Sequence, residues 1–486
     1  MPRKSLIDPP LVSPIPFTAG SNGEFVPDEP GAAQARAEAR FRDLVDVRCR
    51  RLGVSRRAFL DSAAGTATAL LVLQELGGCR PGGGPTGGGY VLDEPSTWDS
   101  ARACEAIAGG QFVFDVQTHH VDARGAWRDT DERWQHFMAS LPTEWCHASD
   151  EVECFDREHY IREIFVNSDT HVAVLSNVPA EPGQHPLDTA EQAATRAVIE
   201  QLSHSERLVI HGLVHPERGE QALERMQQQK EVHRIAAWKV YTLWGDWRLD
   251  DDTGRAFLDR ARQLDVKIVC AHKGLPLFDT DPAFARPDDV GPAAKAYPDL
   301  KFLVYHSAYD TGVTEGPYDP EGAGIDRLIR TCMEHGIGPD GNVWAELGAT
   351  WRHLMSRPVA AQHAIGKLLK YFGPERILWG TDSIWFGSPQ GQLDAFRAFT
   401  ISEELQEKHG YPPLTEDVKA KILGLNAAAV YGIDPAAQRC AIEADALAQH
   451  KQRVAAEPRL RRRAPAFGPQ TRQQFLAMIR ELGGSH

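Results

Sequence analysis

Four short tracts of this chain hold residue types that could work together. They are Asp115-Val-Gln117-Thr-His119-His120, Cys270-Ala-His272-Lys273, Val304-Tyr-His306-Ser-Ala-Tyr-Asp310 and Trp379-Gly-Thr-Asp382. Neutral imidazoles with a carboxylate suit a divalent cation such as zinc or manganese. Such a cation lowers the pKa of a bound water from 15.7 to about 7 and so generates hydroxide at neutral pH. Asp382 or His306 could accept the proton. Lys239, Lys273, Asp310, Glu346 and Trp385 lie at or just beyond the ends of apolar runs and could hold a substrate. For Lys239 the alternative is an ordinary ion pair.

These residues are far apart in the chain, so a fold must collect them. Apolar runs at residues 111–117, 170–178, 208–214, 235–241, 266–271, 300–305, 342–347 and 376–380 read as strands. Helical patterns lie between them, as at 190–203, 217–230, 253–264 and 325–335. Strands alternating with helices predict a parallel sheet, and eight of them predict a closed (β/α)8 TIM barrel. Such barrels carry their chemistry at the C-terminal ends of the strands, where the four tracts fall. Alternation along the first strand puts Asp115, Gln117 and His119 on one face and His120 on the other. No GxGxxG follows that strand, so the phosphate cradle of a dinucleotide-binding fold is missing.

The order of these motifs resembles the amidohydrolase-related family of metal-dependent barrel hydrolases and decarboxylases. That family includes aminocarboxymuconate-semialdehyde decarboxylase and the resorcylate-type decarboxylases. The resemblance covers residues 110–433 and rests on Asp115-Val-Gln117-Thr-His119, His272, His306, Gly380-Thr-Asp382 and Ile422-Leu-Gly-Leu-Asn426-Ala427. It implies that His119, His272 and Asp382 ligate a metal, that His306 is catalytic, and that Asn426 anchors the closing helix. The family's first ligand is His or Glu, and here it is Gln117. Either Gln117 ligates weakly, or three protein ligands and water hold the metal, or the metal has been lost.

Around the barrel, residues 110–434, the chain divides further. Residues 1–54 read as a disordered N-terminal extension, with prolines at 9, 10, 14, 16, 27 and 30. Residues 55–79 read as a twin-arginine signal: Ser55-Arg56-Arg57-Ala-Phe-Leu60 precedes a modest apolar run, 63–76, too short for a membrane span. Leu76-Gly-Gly-Cys79 resembles a lipobox, which would place a lipid anchor at Cys79. A Gly-rich linker, 80–109, follows. A long insertion, 122–160, would overhang the active face, and residues 435–486 read as a helical C-terminal extension. Export would place the protein in the periplasm or cell envelope. In that oxidising setting Cys146 and Cys154 could pair; free buried thiols are the other reading.

The formal charge of −14 excludes a large nucleic-acid-binding face. The expected partner is a small-molecule substrate, and barrels of this kind can pair as homodimers. Three functions compete. One is hydrolysis of a C–N, C–O or lactone bond by metal-activated water. Another is non-oxidative decarboxylation of an aromatic or unsaturated acid, with Lys239 or Lys273 holding the carboxylate. The last is an inactive barrel that serves as a binding protein.

Overall fold

The computed structural model describes residues 12–18, 20, 31–76, 89–107, 109–143, 146, 148–443 and 445–456. The disorder expected over 1–54 does not extend to helix α1, Ala32–Leu52. Its Phe41, Leu44 and Val45, spaced for one helical face, are buried. The helix ends at Gly53, whose left-handed backbone (φ 65°) lets its N–H return to the Cys49 carbonyl.

The apolar run of the expected signal forms helix α2, Ala63–Leu76. Ala64, Ala67, Leu70 and Leu73 are fully buried, and α2 packs against α1 and two barrel helices. Arg56 forms a bidentate pair with Asp46, at 2.8 and 3.0 Å. Cys79 lies outside the described residues. The expected linker is folded from Gly89: Gly89–Tyr90 pairs antiparallel with Phe399–Thr400, and the buried Tyr90 hydroxyl donates to the Met355 carbonyl.

The barrel strands are β1 Phe114–Thr118, β2 Val172–Leu175, β3 Leu208–Leu213, β4 Ala237–Tyr241, β5 Ile268–His272, β6 Lys301–Tyr305, β7 Val343–Glu346 and β8 Ile377–Leu378. All neighbours pair in parallel, in chain order. The ring closes between β1 and the chain after β8. Val116 N–H donates to Trp379 O (3.0 Å) and Asp382 N–H to Gln117 O (2.9 Å). The strands are almost wholly buried, which explains their continuous apolar sequence rather than alternation. The outer helices present apolar stripes. In Ile325–Glu334, for example, Ile325, Leu328, Ile329 and Cys332 are buried at i, i+3, i+4 and i+7.

The insertion after β1 carries helix α3, Glu132–Ser140, and a short turn, Glu151–Phe155. A disulfide joins Cys146 to Cys154. Asn426 donates to the carbonyls of Pro374 and Ile377, both at 2.8 Å, and so fixes the closing helix Asn426–Tyr431 to the barrel. Beyond it, helices Pro435–Glu443 and Ala446–Ala456 are tied down by Arg207–Asp445 and Lys451–Asp169 ion pairs. The described residues contain no helix long and apolar enough to cross a membrane.

Candidate active site at the C-terminal end of the barrel

Gln117, His119, His272, His306 and Asp382 line one cavity of about 30 Å³, room for about one water. Two larger grooves lie on the surface, and neither contains any of these residues.

Hydrogen-bond logic fixes how the donors face one another. A backbone carbonyl only accepts, so His119 Nδ1 must donate to Ser176 O at 2.8 Å. In the neutral ring this leaves the Nε2 lone pair directed at Asp382 Oδ1, 3.1 Å away. Two acceptors at that distance are stable only with a proton or a cation between them. His306 has the opposite tautomer, because its Nδ1 accepts from Ala349 N–H (3.4 Å). Its Nε2–H faces the Gln117 amide at 3.3 Å. The same end of the amide lies 2.9 Å from Asp382 Oδ1 and 3.5 Å from His119 Nε2.

The two ends of a Gln amide are assigned from such networks. With the amide nitrogen inward, Gln117 Oε1 is buried without a partner. With the oxygen inward, it accepts from His306 Nε2–H. It then joins His119 Nε2 and Asp382 Oδ1 as three acceptors 2.9–3.5 Å apart. That is the spacing of donor atoms about 2.0–2.2 Å from a shared cation. Among the described residues no three His, Cys, Asp or Glu side chains make such a group alone. The Gln117 oxygen completes it.

The backbone at these side chains is strained. Asp382 has φ 59°, and His306, Ser307 and Ala308 have φ 63°, 50° and 56°. Such non-glycine positions cost about 1–3 kcal/mol each and persist only where surroundings enforce them. Here Glu346 does so: its carboxylate accepts from His306 N–H (2.8 Å) and Gly348 N–H (2.6 Å). Ser307 Oγ and Thr350 Oγ1 bind the Glu346 and His306 carbonyls. Gly380 allows this carboxylate in, since a Cβ there would meet Glu346 Oε1 at 1.7 Å. Asp115 plays the matching part at the seam, accepting from Gln117 N–H and from Thr381 N–H and Oγ1. Burial raises Asp115 to about 7 and Glu346 to about 8. Burial opposes ionisation of Asp382 too; a proton on His119 Nε2 and the charge of His306 would hold it at about 2.

Several expected roles change. His272 lines the cavity, yet its Nε2–H donates to Leu275 O (2.8 Å), so only Nδ1 remains for a cation. Glu346 holds the His306 turn and does not line the cavity. Lys239 lies one layer deeper, because it shares the inward face of β4 with Tyr241 two residues on. Its ammonium sits 3.5 Å from the Tyr305 ring with no hydrogen-bond partner, and burial lowers it to about 8. Lys273, adjacent to His272, points the other way and is paired with Asp289 at 2.7 Å. Asp310 Oδ1 caps its own loop at Gly312 N–H. None of these three lines the cavity. Trp385 does, stacked on His119 (ring centroids 5.3 Å, 10°).

The mouth is roofed by side chains the motifs did not single out. Trp134 and Phe137 come from α3, and Leu275 and Leu277 from the loop after β5. Phe137 meets Trp385 edge-on at 5.5 Å. For Trp134 and Phe137 the insertion after β1 was the only sequence signal, and Leu275 and Leu277 had none. A substrate much larger than a water would need these side chains to move apart, since the free space between them is about 30 Å³.

A profile of the amidohydrolase family matches residues 134–433, more than half of the chain. No curated protein matches. Similar solved structures include 5-carboxyvanillate decarboxylase from Sphingomonas paucimobilis: 13% identity, 67% of this chain and 100% of that one, TM-score 0.41. Another is an uncharacterised TIM-barrel protein from Bordetella bronchiseptica: 14%, 66% and 100%, TM-score 0.44. A third is the 5-carboxyvanillate decarboxylase of Novosphingobium aromaticivorans, crystallised with manganese: 12%, 68% and 99%, TM-score 0.42.

Proposed function

The chain belongs to the amidohydrolase family, and on that premise we propose a divalent-metal-dependent hydrolase acting on a small uncharged molecule at a C–N, C–O or lactone bond. The observation that carries this reading is the facing of His119 Nε2, Asp382 Oδ1 and the Gln117 amide, where a neutral His119 leaves acceptors that need a shared cation. These residues would hold the cation, with His272 able to contribute Nδ1. Manganese or zinc suits this nitrogen and oxygen set. When bound, such a cation supplies Lewis acidity, polarising a substrate carbonyl and acidifying water beside it.

The chain's own groups supply the rest. Asp382, ionised through the neutral range, is the base nearest an attacking water. His306, held by Glu346 and Thr350, presents Nε2–H as a proton donor beside Gln117. Trp134, Phe137 and Trp385 would pack a flat apolar group and exclude bulk water. Among the described residues no Lys or Arg lines the cavity. This favours hydrolysis of an uncharged substrate over decarboxylation of an acid, the second reading, which would depend on the cation alone to hold the carboxylate.

The test loads the protein with manganese or zinc and assays aryl esters, lactones and amides beside aryl carboxylic acids. Hydrolysis that disappears in Asp382→Asn supports the proposal. Release of CO₂ from the acids alone replaces it with the decarboxylase reading. We also propose export through the twin-arginine route, supported by Ser55-Arg56-Arg57 and by a disulfide suited to an oxidising compartment. A reporter fused to residues 1–90 should lose export when Arg56 and Arg57 become Lys. Export unchanged by those substitutions overturns this part.

A further inference from the structure

The Cys146–Cys154 disulfide lies outside the cavity, and its surroundings are unlike those of a purely structural crosslink. His159 Nε2 stands 3.5 Å from Cys146 Sγ. The other ring nitrogen is 3.0 Å from Asp156 Oδ1, and that carboxylate also accepts from His159 N–H at 2.9 Å. A sulfur, an imidazole and a carboxylate in line are the arrangement that stabilises a thiolate. The two sulfurs are unequal: Cys154 is 1% exposed, whereas Cys146 is half-buried and reachable.

The crosslink also borders the roof of the site. Cys146 follows α3, which supplies Trp134 and Phe137. Cys154 precedes Phe155, whose ring packs on Trp385 at 6.2 Å, and Trp385 stacks on His119. The Phe155 carbonyl accepts from Val121 N–H at 2.8 Å, just beyond the end of β1. One covalent bond therefore ties the segment that follows α3 to the residue before Phe155, which backs Trp385.

We propose that Cys146–Cys154 is a reversible thiol–disulfide site, open to dithiol reductants, whose reduction loosens the roof over the active site. The chemistry balances as follows. One thiolate of the dithiol attacks Cys146 Sγ; the Cys146–Cys154 bond breaks, and Cys154 leaves as thiolate and is protonated. The second sulfur of the dithiol then attacks the first, closing its own disulfide and releasing Cys146, whose thiolate is stabilised by His159. Two electrons pass from the dithiol to the protein disulfide, and the two protons end on Cys154 and on the His159 ring. In reoxidation the Cys146 thiolate is the nucleophile. A thiolate favoured by a neighbouring imidazole exchanges faster at neutral pH, its gain in thiolate outweighing its loss of nucleophilicity.

This site is independent of the reaction catalysed, and its test needs no substrate. The folded full-length protein is treated with dithiothreitol, and newly alkylated cysteines are located by mass spectrometry, because Cys49, Cys104, Cys270, Cys332 and Cys440 are free already. The expected result is labelling of Cys146 and Cys154 without unfolding. Deuterium uptake over residues 132–155 should rise, and reoxidation should be measurably slower, by about twofold or more, in His159→Gln. A disulfide reduced only as the protein unfolds overturns the proposal. So does uptake over 132–140 that is equal in both redox states. Equal reoxidation rates for the wild type and His159→Gln would remove the activated sulfur.

Discussion

Lys273 separates two accounts of this barrel, because its position beside His272 suggests a substrate contact and its geometry shows a buried ion pair. Its ammonium lies 2.7 Å from Asp289 Oδ2, both side chains are 1% exposed, and the same oxygen accepts from Leu249 N–H. Burial lowers the lysine's pKa and the Asp289 charge opposes that shift. Lys273→Met would leave the Asp289 carboxylate buried and uncompensated, a change that costs about 3–5 kcal/mol. Unfolding entropy near the midpoint is about 2.1 cal/mol/K per residue, or about 0.7 kcal/mol/K for a barrel of roughly 320 residues. The midpoint should therefore fall by about 4–8 °C, measured by circular dichroism at one scan rate. Adding Asp289→Asn, which keeps an acceptor for Leu249 N–H but removes the charge, should recover at least half of that loss. If Lys273→Met melts within about 1 °C of the wild type, the ion pair does not carry this weight. If it also loses activity, Lys273 belongs to the substrate after all.

Other outcomes follow from the same contacts. Asn426→Ala strands two carbonyls that its amide now satisfies, at about 1–3 kcal/mol for each acceptor left buried, so the thermal midpoint should drop by at least about 2 °C. At Asp169, burial alone would raise the carboxyl, but Lys451 and Arg397 hold it well below its ordinary value of 3.8. A depressed carboxylate contributes stability that is complete above the unfolded value and lost as pH falls below it. The destabilisation of Asp169→Asn should thus be evident by thermal melting at pH 7 and shrink below about pH 4. A difference that persists in acid would show that charge is not its source.

Much of the barrel was legible because its strands are continuous apolar runs between amphipathic helices. The run at 208–214 contains β3, Leu208–Leu213, and the pattern at 325–335 contains the helix Ile325–Glu334. The site was legible where strand ends carry His and Asp. His119, His306 and Asp382 share the cavity expected of them, and His120 turns away to Thr195 as alternation requires. What escaped depends on contacts distant in sequence. Proline and glycine content suggested disorder before residue 55, yet α1 packs against α2 and buries Phe41 and Leu44. Lys273 could have been placed correctly, since alternation after His272 already turns it outward. For Lys239 the sequence shows a strand-end lysine but not the depth at which Tyr241 and Tyr305 cover it. Glu346 reads as a strand-end acid, and only the fold shows that its oxygens are spent on the His306 turn.

The central claim is that Gln117, His119 and Asp382 converge on a cation, in place of a proton shared by His119 and Asp382. Equilibrium dialysis against manganese or zinc, with metal counted by mass spectrometry, tests it without any substrate. About one cation per chain is expected, with affinity falling at least about tenfold in His119→Ala and in Asp382→Asn and rising in Gln117→Glu. A folded protein that retains neither metal, or a His119→Ala variant that binds as tightly as the wild type, would contradict it.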